Sequence, residues 1–361
     1  NIEWSILICT ILLVIIGLIA LFSATQNAEY DEFKKQILWI GVSIPFVIVV
    51  TLIDYETIAK ISPVFYVAMI ILLVGVLFTE PINGATSWYN LGGASFQPAE
   101  FTKIFVIILL ALVMSKMVAK GKKEISRPTR LLMLIGILAV PVLLIIKQPD
   151  YGTALAFLVA FLAMLFVAGI DKKYIIAGIL IVAITLPVLY FFVLPDHAKQ
   201  RIDVFLNQDL DPRGAGYNLT QSKLAIGAGQ LFGMGLLKGN QTQLGYLSPK
   251  TTDFIYSVIG EEMGFLVAAA IIVLYVVLIT KAIYVAKTAK DNLGSYIATG
   301  IAGIFLFHMT ENIGMTMGLL PITGVPLPFV SYGGSSLLCN LIMIALNNSS
   351  MIGFIQPPEN L

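Results

Sequence analysis

The sequence predicts an all-α polytopic membrane protein: ten transmembrane helices, with a large structured extracytoplasmic loop between spans seven and eight. Three observations predict this fold class. Hydrophobic residues make up 58% of the 361 residues and charged residues 12%, whereas about 25% of a soluble domain is charged. Apolar runs long enough to cross a bilayer recur along the chain. One long polar segment, residues 195–254, interrupts them. We therefore expect a single membrane domain over residues 1–361 that contains this loop.

Each predicted span is an apolar run close to the length that a membrane helix requires. A helix crosses the hydrocarbon layer with about 20 residues. Backbone groups in lipid must be hydrogen-bonded within the segment, so each run is predicted to be helical. The ten runs cover residues 5–24, 36–53, 61–79, 98–117, 131–147, 152–170, 173–194, 255–280, 295–319 and 330–352.

The short loops predict the orientation, because basic residues concentrate on the cytoplasmic side of a membrane. One set of loops holds twelve cations and the opposite set holds three. Both termini are therefore predicted to be cytoplasmic and the polar loop to face outward. The twelve cations are Lys60, Lys116, Lys120, Lys122, Lys123, Arg127, Arg130, Lys172, Lys173, Lys281, Lys287 and Lys290, and the three are Lys34, Lys35 and Lys147.

Net charge and cysteine content exclude several classes of function. A net charge of +1 argues against nucleic-acid binding, which needs a basic face. Cys9 and Cys339 both lie inside apolar runs, and no pair of cysteines has metal-ligand spacing. A disulfide framework and a zinc cluster are therefore not expected.

Asp253 is the first candidate for chemistry, because it directly precedes the eighth span. An aspartate before an apolar run is typical of a helix N-cap. The alternative is a carboxylate at the membrane surface that accepts a proton from a substrate hydroxyl or holds a divalent cation. One residue can serve both purposes, so both interpretations stay open.

Ionisable residues inside or beside spans are the other candidates. Glu100 and Lys103 share a helix face at the start of the fourth span. They are interpreted either as a buried pair that holds spans together or as a site for an anionic substrate. Asp150, in a tight turn with proline and glycine, is interpreted either as the cap of the sixth span or as a site residue. His308, Glu311 and Asn312 lie on one face of the ninth span, where a packing network is favoured.

Two segments between the spans are predicted to be structured. Residues 217–227 of the outer loop are expected to form a short surface helix. Residues 318–329 contain three prolines within eight residues, which regular helix does not tolerate. Irregular backbone at membrane depth is stable only when it is buried or lines a wet cavity. This link between the last two spans is therefore expected to form part of a cavity wall.

Several motifs resemble those of the SEDS proteins (shape, elongation, division and sporulation), the family that contains RodA, FtsW and SpoVE. The resemblance covers essentially the whole chain. The segments Ile2–Trp4 and Asn312–Met315 are most similar to RodA-type members. The motifs that carry the family resemblance are residues 97–103, 148–153, 221–227, 252–255, 260–264, 321–329 and 331–336.

The resemblance implies a peptidoglycan glycosyltransferase that polymerises lipid II at the outer face of the bacterial cytoplasmic membrane, for cell elongation and rod shape. It implies that Asp253 is essential, and that the partners are lipid II, the growing glycan strand and a class B penicillin-binding protein. The departing pyrophosphate needs cations. A divalent cation, Mg²⁺ or Mn²⁺ held by Asp253, is the alternative to a role as general base. The expected substrate-binding residues are Lys103, Glu100, Arg201, Arg213, Lys223, Gln221, Asp150, Thr252 and Ser331.

Two other functions compete with this hypothesis. A lipid II flippase would also carry polar groups inside the bundle, but it needs a polar path through both halves of the membrane. The inner half is poor in ionisable residues. A scaffold that only recruits cell-wall enzymes would leave the combination of Asp253, Arg201 and Lys103 unexplained.

Overall fold

The computed structural model describes residues 3–80, 85–90, 92, 95–188, 190–191, 196–207, 210–211 and 214–352, and most of these are helical. One antiparallel pair of two-residue strands, β1 (Tyr89–Asn90) and β2 (Ser95–Phe96), was not predicted from the sequence. The helices are α1 (Trp4–Ala24), α2 (Asp31–Leu52), α3 (Tyr55–Val76), α4 (Pro98–Val118), α5 (Pro128–Lys147), α6 (Tyr151–Val167), α7 (Lys172–Val188), α8 (Asp196–Leu206), α9 (Ala215–Ala228), α10 (Asn240–Gln243), α11 (Ile255–Thr288), α12 (Asn292–Thr316) and α13 (Gly334–Ile352).

The helices coincide with the predicted spans. Each of the ten apolar runs overlaps one of the helices α1 to α7 or α11 to α13. Within the described part of the chain, seven helices are long and apolar enough to cross a membrane, namely α1 to α5, α11 and α12, and α6 is a shorter apolar helix. The polytopic all-α class is therefore confirmed, and the count of ten spans stays a prediction.

The core of the bundle lies around α4 and α12, the two most buried of these long apolar helices. Helices α3 and α13 pack against α4, and α6 and α11 pack against α12. In contrast, α2 and α3 are the least buried of these helices, and many of their apolar side chains are exposed, as expected for helices that face lipid. Polar groups placed on α4 and α12 are therefore surrounded by protein.

The segment between α7 and α11 is a structured loop. It contains α8, α9 and α10, and α9 confirms the short helix predicted at 217–227. The residues after α9 pack across a break in α11. Gly264 has a φ of 82°, and a Cβ atom there would lie 2.3 Å from the Gly233 nitrogen. Glycine is therefore required at this break. The chain crosses at this point, where the amide of Phe265 donates to the carbonyl of Gln230 at 2.8 Å.

Two buried carboxylates on α11 hold the short helix α10. Glu261 accepts hydrogen bonds from the amides of Gln241 and Thr242, at 2.7 and 3.0 Å. Glu262 accepts from the amide of Gly239 at 3.2 Å and from the side chain of Gln243 at 2.8 Å. Carboxylates at a helix N-terminus satisfy its free amides and interact favourably with its dipole. Both glutamates are buried and attach the loop to α11.

Candidate active site around Asp253

Asp253 lies in a turn immediately before α11, half-buried between α12 and the proline-containing link that joins α12 to α13. Asn312 of α12 donates one hydrogen bond to the backbone carbonyl of Asp253, at 3.0 Å, and another to the carbonyl of Val325, at 2.8 Å. Gly324 has a φ of 77°, and a Cβ atom at that position would lie 3.5 Å from the carboxylate. The link therefore approaches the Asp253 carboxylate with the backbone of Gly324, which has no side chain.

The surroundings of Asp253 raise its pKa. Burial is the largest effect and raises the pKa to about 6, because it penalises the charged form. The Thr252 side-chain hydrogen bond and the positive charge of Arg201 lower it, and the negative charge of Asp150 raises it. A carboxylate with a pKa near 6 is ionised at neutral pH and is basic enough to accept a proton.

Arg201 of α8 is tied to the link between α12 and α13. Its guanidinium donates to the carbonyl of Thr323 at 3.3 Å. The hydroxyl of Thr323 in turn donates to the carboxylate of Glu311 on α12, at 2.8 Å. This chain of contacts anchors a cation of the outer loop to the rigid bundle beside Asp253.

Asp150 combines the two interpretations that the sequence left open. Its carboxylate accepts a hydrogen bond from the Thr153 amide at 3.1 Å and so caps α6. The other carboxylate oxygen accepts from the side chain of Gln97 at 3.1 Å. Burial is the largest effect on its pKa, and raises it. The charge of Asp150 acts on Asp253, so this helix cap also contributes to the electrostatics of the site.

The side chain of Ser331 forms hydrogen bonds within the protein. It is buried, accepts from the amide of Leu327 at 2.8 Å and donates to the carbonyl of Thr252 at 2.7 Å. The hydroxyl thereby joins the link to the turn that carries Asp253. This geometry gives Ser331 a positioning role, and its contact with substrate stays a prediction. Thr252 itself is half-buried beside the carboxylate.

Glu100 and Lys103 form a buried ion pair beneath the same link. Their charged atoms are 2.9 Å apart, and neither side chain is more than 2% exposed. The ammonium also lies 3.3 Å from Nε2 of His308, whose Nδ1 lies 3.1 Å from the carbonyl of Pro326. The sequence left a structural pair and a substrate site open. Burial favours the structural pair, and the contact of these two residues with substrate stays a prediction.

The three polar residues on α12 form the packing network that their spacing favoured. His308 contacts the carbonyl of Pro326, Glu311 the hydroxyl of Thr323, and Asn312 the carbonyl of Val325. All three residues are buried. They hold four consecutive residues of the link, 323–326, in a fixed course over the bundle.

The remaining predicted substrate-binding residues are Gln221, Lys223 and Arg213. Gln221 is half-buried and Lys223 exposed on α9, the helix that packs on α11. Between them, Ser222 bonds to Ser257, one turn into α11, with 2.6 Å between the hydroxyl oxygens. Arg213 lies outside the described residues.

Sequence reasoning left two residues of the site out. Thr323 connects Arg201 to Glu311, and Gln97 contacts Asp150. Both residues lie in motifs that the sequence singled out. Only their spatial neighbours give them a role, because neither residue type indicates chemistry by itself.

A divalent cation at Asp253 would need ligands besides the described side chains around it. Among the described residues, no group of three or more His, Cys, Asp or Glu side chains is placed to hold an ion. The positive charge of Arg201, which acts on the Asp253 carboxylate, also opposes a second cation. The divalent cation stays a prediction, in the form of an ion shared between Asp253 and substrate phosphates.

Comparison with known proteins decides the family. The profile of the FtsW, RodA and SpoVE family, described as "Cell cycle protein", matches residues 3–349. The chain is a member of the FtsW/RodA/SpoVE family. Family members with curated names include the peptidoglycan glycosyltransferase MrdB of Escherichia coli strain K12, which is 34% identical over 94% of this chain and 90% of its own.

Two further relatives also match nearly the whole chain. RodA of Treponema pallidum, also named a peptidoglycan glycosyltransferase, is 30% identical over 95% of this chain and 96% of its own. Stage V sporulation protein E of Bacillus subtilis is 35% identical over 95% of both chains.

Solved structures share the fold. A chain from a structure on the coordination of polymerisation and crosslinking by a peptidoglycan synthase complex matches with a TM-score of 0.85 at 25% identity. RodA of Thermus thermophilus matches with a TM-score of 0.74 at 24% identity. In both cases the match covers 99% of both chains. The complete fold of the family is therefore present in this protein.

Proposed function

We propose that this protein is a peptidoglycan glycosyltransferase that joins lipid II units into glycan strands, with Asp253 as its general base. One observation carries the proposal. Asp253 is a half-buried carboxylate whose pKa burial raises to about 6, and the positive charge of Arg201 acts on it. The family members whose names specify a peptidoglycan glycosyltransferase supply the substrate class.

In the proposed reaction, Asp253 takes the proton from the 4-hydroxyl of the acceptor sugar. The acceptor oxygen forms a bond to C1 of the donor sugar, while the bond from C1 to the pyrophosphate oxygen breaks. The electron pair of that bond leaves with undecaprenyl pyrophosphate. The proton stays on Asp253 until solvent removes it. The base must lie within about 3 Å of the hydroxyl, directly or through one water.

Arg201 is the proposed counter-charge for the departing pyrophosphate. Its guanidinium is already held on the Thr323 carbonyl, so little side-chain freedom is lost when substrate binds. Preorganised cations stabilise developing charge better than mobile ones. Lys223 and Arg213 are proposed as further counter-charges for the pyrophosphate. The pair of Glu100 and Lys103 is proposed to fix the bundle beneath the link.

The proposal includes location and partner. The protein would lie in the bacterial cytoplasmic membrane with both termini in the cytoplasm, so that Asp253 faces outward. A class B penicillin-binding protein would pack against α11 and α12 with its own membrane helix. A mostly apolar cavity of about 390 Å³ between α9 and α11 could receive side chains of that helix. The relative found in a peptidoglycan synthase complex supports this assembly.

The test uses purified protein and labelled lipid II, alone and with the partner. Asp253→Asn should abolish glycan polymer on a gel without changing the thermal unfolding temperature. The matched control Asp54→Asn removes an exposed carboxylate at the start of α3 and should keep full activity. Polymer formation by Asp253→Asn would refute the assignment of the base.

Two further measurements address the alternatives. The contrary outcome is that the wild type moves lipid II across the membrane of vesicles and forms no polymer under any condition. That outcome would support the flippase. Addition of a chelator tests the divalent cation, because a reaction that needs an ion shared by Asp253 and phosphate must stop. Unchanged rates after chelation would remove the cation from the proposal.

A further inference from the structure

A strongly basic patch lies at the end of the bundle where α4 ends and where α5 and α7 begin. We call this the basic patch. In the described part of the chain it contains seven cations and two carboxylates, Glu124 and Asp171, which give it a net charge of five positive. The protein as a whole carries only +1. The cations are Lys116, Lys120, Lys123, Arg127, Arg130, Lys172 and Lys173.

The basic patch is held by rigid structure. A short 3₁₀ helix, Lys122–Ser126, links α4 to α5. The Glu124 carboxylate bridges Arg127 and Arg130, at 2.7 and 2.8 Å. The side-chain oxygen of Ser126 accepts a hydrogen bond from the backbone amide of Asp171, at 3.0 Å. This hydrogen bond joins the α4–α5 connection to the α6–α7 connection, so the cations of both connections form one surface.

An apolar surface suited to acyl chains lies directly beside these charges. On α5, Leu132 is 66% exposed and Met133 50% exposed, one turn or less from Arg130. On α7, Ile176 is 58% exposed, one turn from Lys172. Both helices belong to the bundle of a polytopic membrane protein, so these side chains face lipid. Charges for a headgroup and an apolar surface for its chains therefore occur side by side.

We propose that the basic patch is a binding site for an anionic phospholipid, with the headgroup phosphate on the cations and the acyl chains along α5 and α7. Clusters of four to eight basic residues next to membrane helices attract anionic headgroups. A soluble phosphate would use only the charges, whereas a phospholipid uses both surfaces. This inference is independent of the proposed glycosyltransferase activity.

The test measures lipids retained by the purified full chain in native mass spectrometry. Phosphatidylglycerol and phosphatidylcholine with identical chains are titrated separately, and inorganic phosphate is added as a competitor. Wild type should retain phosphatidylglycerol at least about tenfold more strongly than phosphatidylcholine. Equal retention of the two lipids, or full competition by inorganic phosphate, would overturn the proposal.

A matched pair of variants locates the site. Lys120→Gln with Lys123→Gln removes two exposed cations of the basic patch, and should reduce phosphatidylglycerol retention about tenfold or more. Lys287→Gln with Lys290→Gln removes two exposed cations at the α11–α12 connection and should leave retention unchanged. Equal losses in both variants would show that only net charge matters.

The wild type provides an independent measurement if the patch variant misfolds. Retention of phosphatidylglycerol should decrease as salt concentration rises, because salt screens exposed charges. Retention that does not respond to salt would contradict a headgroup held by the basic patch.

Discussion

The pH dependence of polymerisation tests the proposed role of Asp253 most directly. A general base must be ionised to act, so activity should rise with pH through the pKa of the base. With a pKa of about 6, the ionised fraction is about 0.9 at a pH near 7 and about 0.1 at a pH near 5. The rate should therefore decrease about tenfold over that interval. An ordinary aspartate, with a pKa near 3.9, would stay about 93% ionised at the lower pH.

The assay is the initial rate of glycan formation at limiting lipid II, between a pH near 4.5 and a pH near 8. Arg201→Gln should move the midpoint to higher pH, because the Arg201 charge lowers the pKa of Asp253. The control Arg127→Gln removes an exposed arginine from the connection between α4 and α5. It should leave the midpoint unchanged. A midpoint near 4 in wild type, or no shift in Arg201→Gln, would refute the reasoning.

Three further predictions follow from buried contacts. Lys103→Met should lower the free energy of unfolding by about 3–5 kcal/mol, because Glu100 would be left as an unpaired buried charge; Glu100→Gln in the same chain should recover part of the loss in thermal melts, and a fully additive loss would contradict the pairing. Thr323→Val should lower kcat more than it raises KM, because it removes the hydrogen bond that ties the link to Glu311, whereas Thr323→Ser should retain activity; equal rates for both variants would remove this positioning role. Glu261→Gln should reduce stability by about 1–3 kcal/mol by weakening charge-assisted bonds to α10, and unchanged melting would argue against that contact.

The sequence could predict the helices because lipid imposes one simple rule on every span. A backbone in hydrocarbon must satisfy its own hydrogen bonds, so a long apolar run becomes a helix whatever its neighbours are. The irregular link at 318–329 was also predictable, because regular helix does not tolerate three prolines within eight residues. The β1–β2 pair was missed because two-residue strands carry no recognisable period.

The site was only partly predictable. Asp253 and Asp150 stand out in the sequence because each precedes an apolar run. Asp150 is the N-cap of α6 as expected, whereas the N-cap of α11 is Phe254, so Asp253 precedes that helix without capping it. Ser331 and Lys103 were expected to contact substrate, yet both are buried and bound to protein. A polar residue at the edge of a span can face either a cavity or the bundle, and helical spacing does not distinguish the two cases.

The sequence by itself determined the polytopic helical class, the polar segment between α7 and α11 and the candidate residues for chemistry. The tertiary structure decided which of them meet. Arg201 and Asp253 are separated by most of the outer loop, and Thr323 connects the arginine to α12. Such contacts depend on how helices distant in sequence pack together, and the pKa of Asp253 depends on the burial that this packing creates.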